Sequence, residues 1–348
     1  MTRRKTARAV RPPPAVKTVR VGTIASIPEV LSRLGADAAE ILAEAGIDLR
    51  LFDDPDHRIS FAARSRLVQH CANRTDCRHF GLLVGQRGGL QSLGLVGLLV
   101  KYESDVGAAL RSLVRYLHLH GSGTTVTLTV DDGMASLAFG ISQSASEAGD
   151  HVGDAALAIL FNILRALCGP DWQPAAVRFA HRRPQDILPF QRFFRAPLQF
   201  DEEHNALLFA GDWLNRPLAA ADPELHRLLR EQIDALEAKY GEDLPSQVRG
   251  MLATSLLLGR CTADRVGTLL SMHVRTLHRR LRAHGTSFRA LADEARHELA
   301  RQLLCDTALN VSEVAAALDY ADPRAFRRAF QRWTGNTPTR WRRQRRTA

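Results

Sequence analysis

No unbroken apolar stretch in the 348-residue chain reaches the ~18 residues of a membrane-spanning helix. LGLVGLLV (93–100) and AALAIL (155–160) both fall short, so no membrane association is expected. Cysteine is scarce, five scattered residues, which predicts reduced thiols rather than a disulfide framework. The first residues, MTRRKTARAVRPPP, lack the apolar core of a secretory signal, and a cytoplasmic location is expected. GxSxG, P-loop, HExxH and GxGxxG signatures are all missing. That points away from an enzyme and calls for no cofactor.

Charge is present but divided unevenly. Residues 1–20 carry +7 without a single acid, residues 21–244 carry −8, and residues 245–348 carry +11. No lysine follows Lys239; all nineteen basic residues of the last segment are arginines. That segment also has apolar periodicity, so it should fold rather than remain a solvated charged tail. A folded basic domain on an acidic body is the electrostatic footprint of nucleic-acid binding.

Residues 1–20 read as a disordered basic arm. Helical periods then dominate in IPEVLSRLG, DAAEILAEAG, SFAARSRLVQHCANR and DVGAALRSLVRYLHLHG, with Asp105 a predicted cap and Ala108, Ala109, Leu113 and Tyr116 on a buried stripe. TVTLTV-DDG-MASLAFGI (125–141) alternates about an Asp-Asp-Gly turn, the signal of a hairpin. The helix DHVGDAALAILFNILRALCG follows, then strand-like AAVRFAH (175–181) and NALLFAG (205–211). These pieces predict an α+β regulatory domain over 21–215 with an antiparallel sheet. The spacing of Cys71 and Cys77 matches no common zinc pattern, so both are read as core residues. His118 and His120 stand two apart and share no helical face, which argues against a metal pair. With Tyr116 they are candidates for lining a small-molecule effector pocket. Residues 216–244 are a connector: Asp222 caps, Pro223 starts, and Leu225, Leu228, Leu229, Ile233 and Leu236 form one stripe. That stripe packs on its own domain, or makes a homodimer contact, or relays to the next domain.

The basic module, 245–348, opens with PSQVRGMLATSLLLGR. TADRVGTLLSM, with Thr262 able to cap and Val266, Leu269 and Leu270 apolar, then leads through a turn into VRTLHRRLRAHG, a helix-turn-helix over 262–284. Leu277 and Leu281 face the core, and Arg275, His278, Arg279 and Arg282 recur on the opposite face. The histidines at 273, 278 and 284 share no face, so no metal is expected there. The design repeats over 311–334. Asp322 caps, Pro323 starts the helix, Phe326, Ala329, Phe330 and Trp333 form its core stripe, and Arg324, Arg327, Arg328 and Gln331 are exposed. Between the units a linker helix, 287–305, carries Phe288, Leu291, Ala292, Ala295, Leu299 and Leu303 on one predicted stripe. At ~1.5 Å per residue it is a strut of roughly 28 Å, able to place two basic helices in major grooves ~34 Å apart.

RTLHRRL (275–281), EARHELARQLLCDT (294–307) and VSEVAAALDYADPRAFRRAFQRWTGNTPTRWR (311–342) resemble the double helix-turn-helix domain of the AraC/XylS family. The resemblance implies an all-α DNA-binding domain whose exposed faces over 274–282 and 323–328, Thr276 and Pro323 included, enter adjacent major grooves of promoter DNA. His273 departs from the usual Ser at the cap and Asp319 from the usual glycine before the second turn. FGLLVGQ (80–86), LGLVGLLVKYESDVGAALRSLVRY (93–116), FAHRRP (179–184), FFRAPLQFD (193–201), NALLF (205–209) and LNRPLAAADPELHRLL (214–229) resemble the arabinose-binding-like regulatory domain of one subgroup. Together these imply a small-molecule-responsive transcriptional activator that meets RNA polymerase. A repressor, a ligand-independent DNA binder, and a DNA-repair methyltransferase fusion built on Cys71, Cys77 or Cys168 are the alternatives.

Overall fold

The computed structural model describes residues 18–121, 124–141, 147–240, 244–245, 248–249, 251–252, 262–270, 273–306, 309–318, 320 and 322–346. Most of the expected arm, most of the PSQVRGMLATSLLLGR helix and Asp319 lie outside them.

The end of the expected arm is a strand. Thr18–Arg20 (β1) pairs antiparallel with Arg58–Ser60 (β2), Val19 opposite Ile59, because Val19 has an apolar site to fill and is buried. Ile27–Arg33 (α1), Ala38–Glu44 (α2), Phe61–Arg74 (α3) and Phe80–Gln86 (α4) enclose a first core of Ile27, Leu31, Leu42, Cys71 and Phe80. Leu95–Lys101 (α5) and Val106–His120 (α6) follow, the latter capped as the sequence predicts: the Ala108 N–H donates to Asp105 Oδ1 at 2.8 Å.

Thr124–Asp131 (β3) and Met134–Ile141 (β4) form the expected hairpin, Asp131 opposite Met134. Asp132 and Gly133 both take positive φ, 48° and 75°, the geometry of a two-residue turn matched to strand twist. Glu147–Cys168 (α7) then crosses behind the sheet. Its Gly149–Cys168 span is longer than AALAIL alone suggests and is apolar enough to cross a membrane by length and composition. That span is the core helix of the domain and is mostly buried. Close approach of α4 requires glycines: a Cβ on Gly81 would stand 2.1 Å from the His151 carbonyl oxygen, and one on Gly85 2.4 Å from that of Ala155.

Ala176–Arg178 (β5), Leu188–Phe194 (α8), Leu198–Gln199 (β6) and Asn205–Ala210 (β7) complete a five-stranded sheet of order β3-β4-β7-β5-β6. The sheet is mixed rather than purely antiparallel, since β5 and β6 run parallel, Val177 beside Leu198. Helix α8 supplies the crossover that a parallel pair needs. The connector, Pro223–Tyr240 (α9), lies against α5 and α6. Ile233 is buried and Leu229 joins the main core, whereas Leu228 faces solvent, so the expected stripe packs mostly on its own domain.

The C-terminal segment is helical throughout its described parts: Ala263–Leu269 (α10), Val274–Ala283 (α11), Phe288–Asp306 (α12), Val311–Ala317 (α13), Pro323–Thr334 (α14) and Pro338–Arg346 (α15). It holds two separate cores. Val266, Leu277, Leu281 and Leu291 belong to one with Val248 and Leu252; Ala300, Leu304, Val314, Phe326 and Phe330 belong to the other. The expected stripe of the strut α12 touches both cores, Phe288, Leu291, Ala292 and Ala295 the first and Leu299 and Leu303 the second, but the strut's most buried residues change face. Its first half buries Leu291 and Ala292 and its second half Ala300 and Leu304, a turn of roughly 150° at 3.6 residues per turn. The cores lie on different sides of the strut, which leaves Leu299 and Leu303 half-buried. Unpredicted α15 closes the second core, with Trp341 edge-on to Phe330 at 5.8 Å.

Candidate nucleic-acid interface and effector chamber

Local capping fixes where each basic helix begins. The Arg265 N–H donates to Thr262 Oγ1 at 3.3 Å and starts α10. His273 takes the place of a hydroxyl cap: the Arg275 N–H donates to its Nδ1 at 3.2 Å. This departure from the family pattern keeps the capping function. At α14 the Arg324 N–H donates to Asp322 Oδ1 at 2.9 Å, and Pro323 occupies the first turn, where its missing N–H costs nothing.

These starts set the outward faces. Leu277 and Leu281 are sealed in the first core, and Arg275, Arg279 and Arg282 are exposed. Phe326 and Phe330 are sealed in the second, and Arg324, Arg327 and Arg328 are exposed. None of these six guanidinium groups forms an ion pair among the described residues. Arg249, by contrast, pairs with Glu294 at 3.0 Å, and Arg332 with Asp293 at 3.3 Å. Those two arginines brace the strut through carboxylates, whereas the outward forks stay open, each shaped for a phosphate or a guanine edge. The other expected contacts sit lower. His278 is half-buried with its ring edge-on to Phe288 at 6.5 Å, and Thr276 and Pro323 are half-buried.

The regulatory domain holds a partly open, largely apolar chamber where the first core meets the sheet. Its walls are Leu113 and Leu117 of α6, Val126 and Phe139 of the hairpin, Ile159 and Ile163 of α7, and Val68 of α3. Its cavity volume is about 60 Å³. Of the three candidates from the sequence, only His120 lines it. His118 turns the other way, its Nε2 3.3 Å from Glu237 of α9, as the two-residue spacing requires. Tyr116 turns toward α9 as well, near Arg230, Asp234 and Glu237. Burial, with the nearby Arg20, Arg64 and Arg58 charges, pushes the His120 imidazole down to about 3 and keeps it neutral. Arg64 also faces the chamber, and sequence reasoning missed it. The signal was there: Phe61, Arg64, Leu67, Val68 and Cys71 keep helical spacing, which sets an arginine on an apolar stripe.

Cys71 and Cys77 are core residues of the first cluster. Burial raises the Cys71 thiol to about 12 and also lifts Cys77, so both stay protonated at neutral pH. No group of three His, Cys, Asp or Glu side chains is gathered for a metal among the described residues.

The model of the arabinose-binding domain of AraC transcription regulators matches residues 35–218, and a helix-turn-helix domain model matches 267–344. The ornithine utilization regulator of Pseudomonas aeruginosa is 28% identical over 90% of this chain and 93% of its own length. The HTH-type transcriptional regulator VirS of Mycobacterium tuberculosis is 27% identical over 93% and 96%. A third relative, an HTH-type transcriptional regulator of Mycobacterium bovis, is 30% identical over 96% and 98%. The crystal structure of the transcriptional regulator CdpR from Pseudomonas aeruginosa aligns over 90% of this chain and 98% of its own with a TM-score of 0.44 and 22% identity. On the arabinose-binding-domain match and the full-length relatives, the chain belongs to the AraC family, as a DNA-binding regulator of transcription.

Proposed function

We propose that the chain activates transcription in response to a small molecule, reading promoter DNA with α11 and α14 in successive major grooves. The observation that carries the DNA reading is the set of six open guanidinium groups on two capped helices fixed to one strut. Arg275, Thr276, His278, Arg279 and Arg282 would serve one groove, and Pro323, Arg324, Arg327 and Arg328 the next. Arg279→Ala or Arg328→Ala should each cost ~1–3 kcal/mol in promoter binding and relax specificity at one half of the site. Undiminished binding by both variants would sink this docking scheme.

The effector site in this reading is the chamber, and α6 is its link to the DNA-binding segment. Helix α6 supplies Leu113, Leu117 and His120 to the chamber and also touches α10. His118 of α6 holds Glu237, whose carboxyl lies near Arg280 of α11. Burial raises that carboxyl, but His118, Arg115 and Arg280 outweigh it and the net shift is downward. No Asp or Glu is among the described chamber walls, so the ornithine in one relative's name is not carried over; its amino groups would find no counter-charge. Filling the chamber with Ala156→Phe should fix promoter output at one level across growth conditions. Output that still varies as in the wild type would exclude the chamber as the effector site. A cytoplasmic location and contact with RNA polymerase follow from the same reading.

A further inference from the structure

Arg64 is the one cation on the chamber wall among the described residues, and it is nearly sealed, 7% exposed. Its Nε and Nη2 are buried without a hydrogen-bond partner. The guanidinium lies over the Phe61 ring, 4.5 Å from its centroid, but among the described residues no carboxylate pairs with it; burial alone moves it, down to about 10. Proteins rarely bury an ion unpaired, because the desolvation cost goes unreturned. A buried cation of this kind calls for a partner of opposite sign.

The orphaned atoms define that partner. Nε and Nη2 share one edge of the guanidinium, and two parallel N–H groups on that edge match the two oxygens of a carboxylate. Two further polar groups on the same wall also want partners: Thr23 Oγ1, and both ring nitrogens of neutral His120. The rest of the wall is aliphatic or aromatic apart from Thr124 and His151. With one full positive charge in the wall, a dianion would be left half-compensated. A sugar or a free amino acid would bring polar groups that the apolar walls cannot satisfy.

Resting on the effector reading above, we propose that the chamber binds a small monocarboxylate with a hydrocarbon body, its carboxylate held by the Nε–Nη2 edge of Arg64 with Thr23 and His120 beside it. The hydrocarbon lies against Leu113, Val126, Phe139 and Ile159. On this assignment the Arg64 charge, set on an otherwise apolar stripe, serves the ligand at a cost to the unliganded protein.

The test uses the full chain and two matched probe series, linear and aryl monocarboxylates (hexanoate to dodecanoate, phenylacetate, benzoate) and their primary amides. Calorimetry and thermal shift are run on wild type, Arg64→Met and Arg64→Lys. Acids should bind wild type at least tenfold more tightly than the amides. Arg64→Met should abolish that preference while melting, without ligand, no lower than wild type, because it removes a buried unpaired charge. Arg64→Lys should keep the preference and lose affinity, having the charge without the fork. Amides that bind as well as acids, no binding by any acid, or an unliganded Arg64→Met that melts several degrees lower would each overturn the proposal. The effector reading fails separately, through Ala156→Phe: if that variant silences the response while acids do not bind, only the carboxylate assignment is lost.

Discussion

Inserting one alanine between Ala295 and Arg296 probes the strut as a ruler. The insertion falls between the Leu291–Ala292 contact with the first core and the Ala300–Leu304 contact with the second, so each core keeps its own residues. Geometrically, it turns the second unit by ~100° about the strut and advances it ~1.5 Å. With helices packed ~9 Å from the strut axis, a 100° turn moves α14 through a chord of roughly 14 Å. That exceeds the ~12 Å width of the major groove, so the two units cannot seat together. The Arg332–Asp293 pair is also disturbed, but both partners are partly exposed and such a pair is worth at most about 1 kcal/mol. Affinity for the intact promoter should fall by roughly 10²–10⁴-fold, toward that of one unit, as the second contact ceases to be intramolecular. Fluorescence anisotropy at one fixed salt concentration measures this, since phosphate contacts make affinity steeply salt-dependent, and a far-UV circular dichroism melt confirms the fold. An insertion variant that melts like wild type and binds the same promoter with undiminished affinity would refute the ruler.

Two further outcomes follow from the packing. His181 and Asp154 form a buried pair at 2.9 Å. Burial alone would lower the imidazole, but the hydrogen bond and charge of Asp154 carry it up to about 9. The folded pKa exceeds the unfolded value of ~6.5, so the stabilisation is complete below pH ~6.5 and fades as pH climbs through about 9, by at most roughly 3 kcal/mol. His181→Asn should flatten the melting temperature between pH 6.5 and 9.5, and an unchanged slope would contradict the pairing. At the cap of α11, His273→Ala should destabilise the C-terminal transition by ~1 kcal/mol and His273→Ser should restore it; equal stability of the three proteins in urea would show that the ring does not cap.

What the sequence made legible was local. Asp105, Thr262 and Asp322 cap where they were expected to because a cap is written in one residue and the two that follow. The hairpin was legible because alternation and Asp132-Gly133 specify it within eighteen residues. The outward arginines were legible because Leu277, Leu281, Phe326 and Phe330 fix the opposite face. Features set by distant partners were not. Thr18–Arg20 becomes a strand only because Arg58–Ser60 lies beside it, and two-residue Leu198–Gln199 only because β5 does. The change of buried face along α12 depends on where two separate cores sit. Arg64 could be placed on a stripe from spacing, but the lack of a counter-ion beside it among the described residues is a property of α3, α6, β3 and α7 together, and no local window contains it.

Hydroxyl-radical footprinting of the wild type, Arg279→Ala and Arg328→Ala on DNA upstream of its own and neighbouring genes decides whether α11 and α14 read successive grooves. Two protected segments should appear on one face of the duplex, their centres about one helical turn apart, ~34 Å. Arg279→Ala should weaken one of them and Arg328→Ala the other. A single protected segment, or two variants that lose the same segment, would contradict that reading.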